Sequence, residues 1–130
     1  IYIPAQILGC LLGVMLANVF FEHDILELST KNRDGFHIFL SEIIATFGLI
    51  FIIFATLKDG KITIAASVAT YIMAGYWFTS STSFANPAVA IARTFTDSFT
   101  GINYLNTPTY ILAEFLGALI AVYLIKKLIK

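Results

Sequence analysis

The residues of this chain best placed to do chemistry lie in residues 79–94, TSSTSFANPAVAIART, where a run of hydroxyl side chains precedes Asn86-Pro87-Ala88 and a short apolar stretch. The chemistry on offer is hydrogen-bond exchange rather than bond breaking. The Asn86 amide can donate to a passing hydroxyl while carbonyls of the preceding loop accept from it, so a neutral hydroxylated solute is partly rehydrated. Two carboxylates, Glu42 and Glu114, fall inside apolar runs, where a charge is costly unless it is paired or wetted. His23 and His37 flank a loop without the spacing of metal ligands, and no nucleophile has a base beside it in a plausible cleft. Cys10 is a lone thiol in an apolar run. The chain is therefore not expected to be an enzyme or to hold a metal or cofactor, and no nucleic-acid partner is expected.

The elements that must position these groups follow from Asn86 and Pro87. Asn is a preferred N-cap and Pro is favoured at the first helical position, so a helix should begin here. From Asn86 to Phe95 it would be about 15 Å long at about 1.5 Å per residue, half of a hydrocarbon core of about 30 Å. Residues 79–85 before it, with Thr79, Ser80, Ser81, Thr82 and Ser83, would leave backbone polar groups facing lipid. Irregular backbone at membrane depth is tolerated only inside protein or along a water-filled cavity. Spacing alone also allows an ordinary outer loop with a helix cap.

Composition selects the membrane: 58% of residues are hydrophobic, 12% are charged, and mean hydropathy is +0.86. Four apolar spans stand out at 1–21, 38–57, 62–78 and 108–125, each near the length of a spanning helix. The chain opens inside the first of them without a Met, which reads as the later part of a longer protein rather than as a signal peptide. Lys58 and Lys61 flank a tight turn, and Lys126, Lys127 and Lys130 close the chain, so the turn and the C-terminus are expected on the cytoplasmic side. By alternation, residues 22–36 and 97–107 are outer loops.

An internal repeat relates the first and last spans. Tyr2, Ala5, Gln6 and Gly9 recur as Tyr110, Ala113, Glu114 and Gly117 at identical spacing, a common device in membrane transport folds. Gly9 and Gly13 form one face of small residues, and Ala113, Gly117 and Ala121 form another, so both helices are built for close approach to neighbours. Glu42 is expected to support the loop by accepting hydrogen bonds from N–H groups of residues 79–85; an interfacial Glu on a shorter span is the other reading.

On the Asn86-Pro87-Ala88 box with its half-helix, on Glu42, and on the Ala-Gln and Ala-Glu pairs with their following Gly, the chain resembles the second half of a major intrinsic protein, the aquaporin and aquaglyceroporin family. The resemblance covers essentially all 130 residues. It implies an all-α membrane protein, an aquaporin-like right-handed helical bundle, represented here by four spanning helices and one re-entrant half-helix at about 86–95 in a single channel domain. It also implies a second half with its own Asn-Pro-Ala box and a homotetramer in the lipid bilayer with one pore per subunit.

The departure from the family pattern bears on the solute. Typical members resemble one another in carrying an arginine directly after this box, narrowing the outer selectivity filter; here the residue is Val89. Loss of the guanidinium leaves a wider and less polar constriction. The resemblance puts another filter position at Ala74 or Gly75, both small, and a further one at Ser83. Arg93, four residues after Val89, is a candidate vestibule residue; its other reading is a pair with Asp97 at i+4. The sequence thus points to a passive channel for small neutral solutes, glycerol-like polyols or neutral metalloid hydroxides such as arsenous acid, with water also passing. The positive end of the half-helix disfavours cations and protons. A water-selective pore and a secondary transporter with a broken helix are the competing readings, and the expected location is the plasma membrane.

Overall fold

The computed structural model describes residues 1–128, so Lys130, counted above among the closing lysines, lies outside the described residues. Among the described residues all the regular structure is helical: α1 (Tyr2–Phe20), α2 (Phe36–Ala55), α3 (Lys61–Phe78), α4 (Pro87–Ala92) running into a 3-10 turn (Arg93–Phe95), and α5 (Thr107–Leu128). Three helices, α1, α2 and α5, are long and apolar enough to cross a membrane. The third apolar run, expected as a span, forms α3, 18 residues long, which is not among these three. It falls short of the other three in hydropathy because Lys61, Thr63, Ser67, Thr70 and Tyr71 interrupt its apolar residues.

Several helix boundaries have a local cause. Gly35 and Gly60 precede α2 and α3 with φ of 103° and 91°, a region that glycine enters without steric cost. Asn86 is extended at φ −158°, caps α4 through its side chain and is followed by Pro87 in the first turn. Lys126 and Lys127 lie in the last turn of α5, where cations complement the helix dipole.

The chain divides into two compact units. The first holds residues 1–34 and 86–111: α1, the half-helix, the connections beside them and the start of α5. Here α1 packs against α4 through its Val14 and Asn18 side. Asn18 Nδ2 donates to the carbonyls of Phe95 at 3.0 Å and Ile25 at 3.3 Å. The two loops are stitched by backbone bonds from Ser29 N to Thr94 O (2.9 Å) and from Asn103 N to Lys31 O (2.8 Å). Asn106 Oδ1 accepts the Arg33 N–H at 3.0 Å.

The second unit holds residues 35–85 and 112–128 of the described chain. Its contacts are close because small residues admit neighbouring atoms. The Tyr71 ring of α3 lies over Gly48 of α2, where any Cβ would meet it, and its hydroxyl donates to Ala45 O at 3.0 Å. On α5, a Cβ at Gly117 would run into the Ile43 carbonyl and stand 3.0 Å from Thr46 Cβ. In lipid, packing of this kind substitutes for the hydrophobic drive that water would supply.

Candidate functional site

In the second unit, residues 79–85 form an irregular and buried segment after α3. Thr79, Ser81, Thr82, Ser83, Phe84 and Ala85 are each at most 8% exposed. Thr82, Ser83 and Ala85 take positive φ of 66°, 51° and 50° without being glycines, a conformation costing on the order of 1–3 kcal/mol per residue. Hydrogen bonds to several of its polar groups support the segment. Glu42 on α2, fully buried, accepts the Ala85 N–H through Oε1. Ser41 Oγ accepts the Ser80 N–H at 2.9 Å, and Thr79 Oγ1 donates back to Gly75 O at 2.6 Å. A hydrogen bond to a carboxylate is worth about 1.5–3 kcal/mol, so Glu42 offsets a good part of the conformational cost.

Ser83 and Gly75 are brought together: a Cβ on Gly75 would stand 2.5 Å from Ser83 Oγ. Any larger residue at 75 would displace the serine. Ser83 Oγ is buried and makes no hydrogen bond among the described residues. Ala74, its neighbour on α3, is exposed.

In the first unit, Asn86 Oδ1 accepts the Ala88 N–H at 2.9 Å, and Asn86 O accepts from Val89 N and Ala90 N at 2.9 and 3.0 Å. The same side chain donates through Nδ2 to Gln6 Oε1 on α1 at 3.3 Å. Ala88 is buried and Val89 is half-buried. Val89, Ala92 and Arg93 share a cavity of about 220 Å³ with Gly13, Val14 and Ala17 of α1. A second cavity of about 460 Å³ is lined by Arg93, Asn18, His23, Thr96 and Thr100, with Phe21 and Phe99 beside them. Arg93 borders both, and its Nη1 donates to Thr100 Oγ1 at 2.6 Å.

Asp97 sits in the loop network instead of being left to solvent. It accepts from the Thr30 N–H at 2.8 Å, from Thr30 Oγ1 at 3.1 Å and from Ser29 Oγ at 3.2 Å. The Thr30 backbone bond, with help from these hydroxyls and the Lys31 charge, holds its carboxyl below the usual carboxylate range. His23 Nδ1 lies 3.1 Å from Glu27 Oε2. Among the described residues, no three His, Cys, Asp or Glu side chains gather as metal ligands would.

The chain is 43% identical over 129 residues to aquaglyceroporin AqpS of Rhizobium meliloti strain 1021, a match covering 99% of this chain and 55% of that protein. The chain belongs to the major intrinsic protein family. It spans about half the length of this curated relative and matches its C-terminal part. The likeness is to a channel rather than to an enzyme. No family model and no solved structure matches the chain.

In this major intrinsic protein the first unit brings together Asn86, Pro87, Ala88, Val89 and Arg93 along one short helix and its 3-10 extension, and the second brings Ser83 against Gly75, with Glu42 holding the Ala85 N–H of the same segment. Ala74 joins neither group. Thr100 and Asn18 were not singled out by residue type, and Gln6 was read only as a member of the repeat. A buried Asn in an otherwise apolar α1 was the available signal for Asn18, whereas Thr100 reaches Arg93 only through the fold of the 96–106 loop.

Proposed function

We propose that this chain forms part of the wall of a passive channel for small neutral solutes larger than water, glycerol-like polyols or neutral metalloid hydroxides such as arsenous acid, with water also passing and ions and protons excluded. The observation that carries the reading is Val89. It directly follows Asn86-Pro87-Ala88 and borders the 220 Å³ cavity together with Ala92, Gly13 and Arg93, so the residue next to the box is itself aliphatic and uncharged. A strict water pore does not require an aliphatic residue there. The relative's name, aquaglyceroporin, supports the same solute class.

Asn86 and its following amides supply the hydrogen bonds that replace part of a solute's hydration, and the N-terminal end of α4 carries the positive dipole that disfavours cations. Ser83 and Gly75 or Ala74 are proposed as further lining residues from the sequence resemblance, with Glu42 supporting the loop that carries Ser83. The intact channel then requires a complementary half with its own Asn-Pro-Ala box, is a homotetramer, and sits in the plasma membrane with all four long helices spanning. Lys58, Lys61, Lys126 and Lys127 support a cytoplasmic C-terminus.

The test is flux into proteoliposomes of the intact channel. Glycerol and arsenous acid should enter down their gradients without saturation or ion coupling. Val89→Arg should lower glycerol flux at least tenfold relative to water, the factor that about 1.4 kcal/mol of added barrier gives. Passage of water with no glycerol or arsenous acid would mark a water-selective pore and overturn the wide-filter reading. Steeply saturating, gradient-coupled uptake would mark a transporter.

A further inference from the structure

The chain has not lost the guanidinium from its solute path; it carries one a helical turn further along. We propose that Arg93, clamped by Thr100, is the specificity-determining residue of this channel, repelling cations and selecting solutes that present acceptor oxygens. The proposal rests on the channel reading above. Arg93 stands four residues after Val89, and residues so spaced share a helix face. Both border the 220 Å³ cavity against α1, and Arg93 also borders the 460 Å³ cavity, so its side chain stands where the two spaces adjoin the same residue.

The position is built rather than incidental. The 3-10 turn Arg93–Phe95 has each of its three carbonyls engaged: Arg93 O accepts from Ile102 N at 3.2 Å, Thr94 O from Ser29 N at 2.9 Å, and Phe95 O from Asn18 Nδ2 at 3.0 Å. Ile102 is fully buried, and Gly101 before it allows the loop to close over Ser29 and the Thr96 carbonyl. With the backbone fixed, the 2.6 Å bond from Nη1 to Thr100 Oγ1 holds the guanidinium beside the cavity wall instead of leaving it to wander on its stem. A planar fork of five N–H donors that cannot lose its charge suits polyhydroxylated and oxyacid solutes, and the same charge opposes a cation. His23, the other basic group on the larger cavity, is engaged by Glu27 and does not duplicate this role.

The test uses proteoliposomes of the intact channel and three readouts: water permeability, the glycerol-to-water flux ratio, and leak of methylammonium. Arg93→Gln should raise the methylammonium leak by roughly tenfold to a hundredfold, the range expected for loss of one charge-assisted interaction, while water permeability stays within about twofold. Arg93→Lys should keep the leak at the wild-type level and lower the glycerol-to-water ratio, because the charge remains and the fork is gone. Thr100→Val, which keeps the cation and removes this bond, should raise the leak by a smaller factor. An unchanged leak in Arg93→Gln, or a leak in Arg93→Lys as high as in Arg93→Gln, overturns the proposal. Should Arg93→Gln fail to reconstitute, Thr100→Val decides, and an unchanged leak and flux ratio there overturns it. A wild-type channel that conducts water but no glycerol would sink the solute assignment alone, since the methylammonium comparison would still report on Arg93.

Discussion

In α1 the series Tyr2, Ala5, Gln6 and Gly9 lies along an open face, whereas the matching Tyr110, Ala113, Glu114 and Gly117 of α5 are buried. Tyr2 is 76% exposed and Tyr110 1%. No atom lies within 4 Å of where a Cβ on Gly9 or Gly13 would sit, but the same test on Gly117 meets the Ile43 carbonyl, Thr46 and Phe47 of α2. The difference shows what a stripe of small residues does in lipid. It supplies room for a backbone and no attraction of its own, so it becomes a seam only where another helix brings carbonyls and side chains to it. The carboxylate follows the seam: Glu114 is 2% exposed, while Gln6 on the open face reaches Asn86 with one end and Tyr2 with the other.

The largest expected effect tests that seam. Gly117→Leu forces a branched side chain into the α2 backbone at Ile43 and Phe47, and should destabilise the chain by about 3 kcal/mol or more, the upper range for overpacking. Gly9→Leu should change stability by less than about 0.5 kcal/mol, as for a surface substitution away from packed features. Thermal unfolding in detergent, followed by helical circular dichroism, compares the two. A comparable loss in both would mean that the α1 face is already packed and would break the contrast. Full loss for Gly9→Leu only when a complementary half is co-expressed would sharpen it.

The repeat was legible in the sequence because helical spacing is a property of the chain alone. So were the half-helix, through Asn86 and Pro87, and the three most apolar spans, with boundaries off by no more than three residues. What covers each face was not legible, since Gly9 and Gly117 read identically until a partner is placed. Residues 79–85 show the same limit. Their hydroxyls signalled an irregular segment, but nothing in Thr82, Ser83 or Ala85 announces a left-handed backbone, which their surroundings impose against local preference. Thr100 escaped notice for a related reason: its contact with Arg93 is made by loop closure, not by helical spacing.

A smaller effect is expected from the polar members of the two motifs. Glu114→Ala removes a buried carboxylate from the packed helix and leaves whatever it contacts without an acceptor, at about 1–3 kcal/mol. Gln6→Ala removes two long, partly exposed hydrogen bonds of 3.3 and 3.2 Å and should cost less than about 1 kcal/mol. Chemical denaturation of the two variants in the same detergent measures the difference. Equal costs would show that burial of the motif in α5 does not set the worth of its carboxylate.

The smallest effect concerns how α1 is held despite its open face. Its C-terminal end is tied to the loops by Asn18, and those loops are joined through Ser29, Thr30 and Asp97. Asp97 has its carboxyl depressed chiefly by the Thr30 N–H, so the folded form favours the charged state more than the unfolded form does. The sign follows: the contribution is fully present above the ordinary aspartate range, near 3.8, and is lost as pH falls through that range and below it. Amide exchange at Thr30, Lys31 and Asn103 should therefore quicken on acidification below pH 4, relative to amides in the middle of α5. In Asp97→Asn the same amides should exchange faster already at neutral pH and should lose that acid dependence. If α1 were instead anchored along its motif face, acidification and Asp97→Asn would leave exchange near Asn18 unchanged, and the contrast between an end-held α1 and a side-packed α5 would fall.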